Sequence, residues 1–123
     1  MSTNLPDIVQ ISKLNEKERE KTMSSLFSEL LKMPDKQKLE ILKNLLKEMG
    51  DRASDEEYIN LCKTNIKIAS SLPEDTLSAF LKLRMQAVSE LPKNYQDRDQ
   101  KLMMNALNTF SDDIKNKIMN AMK

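Results

Sequence analysis

One punctuation mark recurs along this chain at a nearly constant interval, and it leaves few folds open. An apolar residue stands directly before asparagine, proline or serine, usually with acids following: Leu14-Asn15, Met33-Pro34, Ala53-Ser54, Leu72-Pro73, Leu91-Pro92 and Phe110-Ser111. The second members advance by 19, 20, 19, 19 and 19 residues. Asparagine and serine accept hydrogen bonds from the free N–H groups that open a helix. Proline suits the first helical position, and acids meet the positive end of the helix dipole. The interval therefore predicts six helices starting near Asn15, Pro34, Ser54, Pro73, Pro92 and Ser111, each of about sixteen residues and ~24 Å long.

Between these marks the apolar residues keep helical spacing. They run Met23, Leu26, Phe27, Leu30, then Leu39, Leu42, Leu46, Met49, then Tyr58, Cys62, Ile66, Ala69. In Leu72–Pro92, Leu77, Phe80, Leu81, Arg84 and Val88 share one face, and Leu83 and Ala87 widen it beyond what one neighbour needs. That helix is expected near the middle of the array. The last two segments carry Leu102, Ala106 and Leu107, then Ile114, Ile118 and Ala121. Gly50, the only glycine, is expected at the position just past a helix end, where its freedom is useful.

Connections this short make neighbouring helices antiparallel. The expected fold is all-α, with six short antiparallel helices in three helical hairpins. Two segments span 38 or 39 residues, which resembles the roughly 40-residue period of HEAT-type repeats in architecture. Equal helices joined by short turns give the same regularity in a closed six-helix bundle, so both arrangements stay open. Residues 14–123 read as a single helical domain and residues 1–13 as an N-terminal arm or a short capping helix. In that arm Leu5-Pro6-Asp7 marks a helix start and Ile8, Val9 and Ile11 form its apolar side.

Aligning the segments exposes breaks in the pattern. The column Leu26, Leu45, Asn65, Arg84, Met103, Met122 is apolar except at Asn65 and Arg84. Asp99 falls in the column of Ile41, Leu61, Phe80 and Ile118, and Gln100 in that of Met23, Leu42, Cys62 and Leu81. Asn65, Arg84, Asp99 and Gln100 thus form a candidate polar cluster on inward faces of three consecutive helices. A buried charge needs a partner. An Arg84–Asp99 ion pair answers that need, and a pocket in which Arg84 grips a small anion is the alternative. Met103, Met104, Met119 and Met122 crowd the last two helices and are the candidate interaction surface, since methionine adapts to varied partners. The run Asn15–Lys21, NEKEREK, reads as a solvated first turn or two.

Histidine is absent and cysteine occurs once. The usual general base, the Ser-His and Cys-His nucleophile pairs and a tetrahedral zinc set are therefore missing. One glycine cannot build a phosphate loop. The expectation is a non-enzymatic chain without a cofactor, working as a helical protein–protein interaction module with another protein or a second copy of itself. A helical nucleic-acid binder is the alternative from another class, although 20 basic against 19 acidic residues give no net bias towards it. The small-anion sensor at Arg84 is a third. No membrane insertion is expected, since no apolar run reaches spanning length. A lone cysteine and no secretory pattern lead to the expectation of a cytoplasmic location.

Overall fold

The computed structural model describes residues 7–123, and these form seven helices: α1 (Ile8–Ser12), α2 (Glu16–Leu31), α3 (Asp35–Arg52), α4 (Asp55–Ala69), α5 (Glu74–Ser89), α6 (Lys93–Leu107) and α7 (Asp112–Ala121). The fold is all-α, and no strand occurs among the described residues. The count is seven rather than six because α1 is a helix in its own right. Asp7 caps it by accepting from Val9 N at 3.0 Å, and Ile8, Val9 and Ile11 are buried. Leu5 and Pro6 lie outside the described residues.

The six punctuation residues are the N-caps of α2 to α7. Asn15 accepts from Glu18 N at 2.9 Å. Ser54 and Glu57 form a reciprocal capping box at 3.1 and 2.9 Å. The prolines stand one place earlier than expected, at the cap rather than inside the helix. They offer no side-chain bond there, but their extended backbone aims the carbonyl into the first turn: Pro73 O accepts from Leu77 N at 2.8 Å.

The expectation of paired hairpins needs correction. The most extensive packing joins each helix to the second one along: α2 to α4, α4 to α6, α3 to α5, α5 to α7. The even-numbered helices make one layer and the odd-numbered helices from α3 make the other, with α1 closing the N-terminal end against α2, α3 and α4. Alternate helices are parallel, so each layer repeats one contact. Arg19–Thr64, Glu20–Lys67, Ser78–Ala121 and Tyr58–Asp99 join residues 45, 47, 43 and 41 apart. Every separation exceeds the 38- or 39-residue repeat, by three to eight residues. Each helix is thus displaced along its neighbour in the same sense. A helix flanked on both sides must be apolar on two sides, which explains the broad face of α5 between α3 and α7, where Leu77 and Ala87 have no exposure. Phe27 and Phe80 stitch the layers together, ring centroids 4.9 Å apart.

Gly50 is not a helix terminator. It lies inside α3, which continues to Arg52, and its φ is not positive. Its lack of a side chain serves a close approach instead. A Cβ there would stand 2.5 Å from Cδ1 of Tyr95, whose ring from α6 lies across the α3 backbone. Tyr95 donates its hydroxyl to Asp51 beside it. Arg98, one turn further along α6, holds the end of α3 as well. It donates to the carbonyls of Gly50 at 2.9 Å and Ala53 at 2.7 Å, then to Asp55 at 3.0 Å in the first turn of α4. One guanidinium thus satisfies the orphan carbonyls of one helix and complements the acidic start of the next.

Candidate functional site

The interior holds a polar node and, beside it, an apolar cavity. Arg84 projects from α5 and Asp99 from the first half of α6, and they meet in a bidentate pair. Nη1 donates to Oδ2 at 3.0 Å and Nη2 to Oδ1 at 2.8 Å. Tyr58 of α4 donates its hydroxyl to Asp99 Oδ1 at 2.6 Å, and Arg84 Nη1 also reaches Met103 Sδ at 3.6 Å. The side chains keep only 17% and 7% of their exposure. Burial alone would push both groups towards neutrality. The opposite charge and the hydrogen bonds outweigh it, so Asp99 is held below the usual carboxylate range and Arg84 above its ordinary value. Burial, then the negative charge of Asp99, pushes the Tyr58 phenol up, so it stays a donor. Burial pushes the Cys62 thiol up to about 12, which leaves it inert.

The other two members of the polar cluster go elsewhere. Gln100 is exposed, because it follows Asp99 by one residue and that rotation turns it to solvent. Asn65 lines the interior but hydrogen-bonds to neither charge. Its Oδ1 is shut off from water and has no hydrogen-bond partner among the described residues. It lines a cavity of about 80 Å³ between the layers. Five residues of the broken column line that cavity: Leu26, Leu45, Asn65, Arg84 and Met103. Phe27, Phe80, Leu81, Cys62 and Ile118 add to a mainly apolar wall. Leu46, expected in the core, is half-buried at its edge.

The four methionines differ in exposure. Met103 is buried against Arg84, Met104 and Met122 are half-buried, and Met119 is 42% exposed. The charged run Asn15–Lys21 is not wholly solvated either. Arg19 is buried, donating from Nε to Thr64 Oγ1 at 2.7 Å and from Nη1 to Leu14 O at 2.7 Å.

Two participants were hidden from the sequence. Tyr58 read as a core aromatic, although a tyrosine on an inward stripe needs a partner for its hydroxyl. Arg19 sat among charged neighbours whose exposure masked its own burial. No group of three His, Cys, Asp or Glu side chains placed to hold a metal occurs among the described residues. No helix of the described residues is long and apolar enough to cross a membrane. Comparison with protein families, with curated proteins and with solved structures finds no match, so function has to be argued from the residues of this chain.

Proposed function

We propose that the chain is a non-catalytic helical interaction module that binds another protein. The observation that carries this is the layered stacking of α2, α4 and α6 against α3, α5 and α7. Repetition of a parallel contact with displacement in one sense is the construction of HEAT-like arrays, which offer rows of outer helix faces to partners. In the odd-numbered layer Met85 of α5 and Met119 of α7 are both exposed, with Leu83 and Met122 half-buried nearby in sequence. Adaptable methionines on adjacent helices suit a protein partner.

The two other readings draw less support. A nucleic-acid surface needs basic charge free of acids. Here Lys43 meets Glu90 at 3.1 Å, Lys67 meets Glu20 at 3.0 Å, and Arg52 meets Asp7 at 3.0 Å and Glu48 at 2.9 Å. An anion at Arg84 would have to displace Asp99 from a bidentate pair. The test is affinity capture with wild type and with a Met85→Lys/Met119→Lys variant of unchanged helical content. A partner retained by the first and lost by the second is expected. A concentration-dependent dimer abolished by the same changes would make the partner a second copy. Capture unaffected by both lysines, with a monomer at all concentrations, refutes the surface.

A further inference from the structure

We infer that a groove between α2 and α4 binds a small organic monocarboxylate with an aromatic body, its carboxylate held by Arg19 and Lys63 and its body against Phe110. This groove belongs to α2 and α4, not to α5 and α7, which carry the exposed methionines assigned to a protein partner. Its volume of about 280 Å³ lies at the lower edge of the roughly 300–1,000 Å³ typical of small-molecule pockets.

Arg19 is the residue that calls for a ligand. Only 8% of it is exposed, and arginine is rarely buried so far without a carboxylate. Arg19 has none. Its bonds go to neutral oxygens, Nε to Thr64 Oγ1 and Nη1 to Leu14 O, both at 2.7 Å. No ion pair among the described residues includes it, and residues 1–6 contain no acid. The bond to Thr64 ties α2 to α4 but leaves the charge uncompensated. Nη2 is left over: it has no partner among the described residues, yet it is not among the buried atoms shut off from water. Lys63, which precedes Thr64, is half-buried on the same groove and likewise makes no ion pair among the described residues. Lys67 and Glu20 answer each other at 3.0 Å between the helices. Exposed Glu16 is the remaining acid, so three cations and two acids leave the lining one net positive charge. A monoanion balances it and a dianion overshoots it. Two separate cationic donors suit the two oxygens of a carboxylate. Phe110 is the one apolar residue of the lining, and an aromatic body packs best on it.

The probes are benzoate, benzamide, which lacks the charge, and acetate, which lacks the ring. Backbone amide NMR of Lys63, Thr64 and Phe110 reports occupancy, and exposed Met119 is the internal control. In wild type, benzoate should shift the three amides saturably and bind about tenfold or more tighter than benzamide, the worth of a hydrogen bond to a charged group. It should also bind several-fold tighter than acetate, through the apolar area it buries. Lys63→Gln leaves the Arg19–Thr64 bond in place and should cut the preference for benzoate over benzamide by about threefold, as for a part-exposed ion pair. Arg19→Gln should abolish that preference, and where this variant does not fold, Lys63→Gln decides. Phe110→Ala should abolish the preference for benzoate over acetate. Benzoate no tighter than benzamide in wild type, or a preference unchanged in Lys63→Gln, overturns the carboxylate site. Acetate as tight as benzoate in wild type overturns the role of Phe110. Shifts no larger at Thr64 than at Met119 overturn the site altogether.

Discussion

Arg84 and Asn65 break the same apolar column, one helix apart, and the fold treats them in opposite ways. Around Arg84 every strong need is met: two bonds to Asp99, a third bond from Tyr58 to the same carboxylate, and Met103 against the guanidinium. Around Asn65 a carbonyl oxygen is left alone, shut off from water and without a donor among the described residues. A polar residue at an inward position is therefore not one kind of event. Where a partner arrives from the facing layer the pair joins the layers, with Tyr58 of a third helix completing the carboxylate, and where none arrives a buried acceptor stays unbonded.

The largest expected effect tests the joined half of this contrast. Arg84→Met or Asp99→Leu alone should cost roughly 3–5 kcal/mol in denaturant melts, because each leaves a buried charge unpaired, and the double variant should recover much of that loss. Strictly additive losses would show that the two residues are not coupled. The same pair carries a pH signature that Asn65 lacks. The carboxyl of Asp99 is depressed in the folded state, so its contribution is complete above its unfolded pKa of about 3.9. It is lost as pH falls through the lower folded value. Wild type should lose stability below about pH 4 more steeply than the Arg84→Met/Asp99→Leu variant. Exposed Asp7 and Glu90, also held low by Arg52 and Lys43, are common to both proteins and cancel in that difference. Parallel pH profiles would exclude Asp99 as the source.

Asn65→Leu should move the other way, stabilising the protein by about 1–2 kcal/mol by removing an unbonded buried acceptor. A loss of more than ~1 kcal/mol would mean the amide has a structural partner and would erase the contrast. A smaller change is expected away from both sites. Gly50→Ala gains up to ~1 kcal/mol of helix propensity but drives a methyl into the Tyr95 ring, and overpacking costs about 1–3 kcal/mol, so a net loss should appear. Adding Tyr95→Ala should turn that step into a gain. The smallest effect is kinetic. The Cys62 thiol, on the cavity wall, should react with a disulfide reagent only at the rate of unfolding, and faster labelling would mean the chamber opens widely in the native state.

What the chain itself determined is local. Asn15, Pro34, Ser54, Pro73, Pro92 and Ser111 cap α2 to α7 because an N-cap needs only its own side chain or backbone and the next turn. The breadth of the apolar face on α5 is equally local, and it announced a helix with neighbours on both sides. The Arg84–Asp99 pairing was legible because a charge on an inward stripe has few ways to be satisfied. Tertiary structure decided the rest. Short loops constrain where the next helix begins but not which neighbour it packs on, so the preference for alternate helices could not be read from spacing. Gly50 looked like a terminator because the ring of Tyr95 approaches from 45 residues away in the chain, and no local pattern carries that distance. Gln100 and Arg19 were misplaced for a related reason. Exposure is set by the rotation of each helix against its partners, and one residue of rotation is enough to exchange solvent for core. The cavity is the extreme case. It is volume that the side chains of several helices fail to fill, a property of their joint packing that no single segment contains.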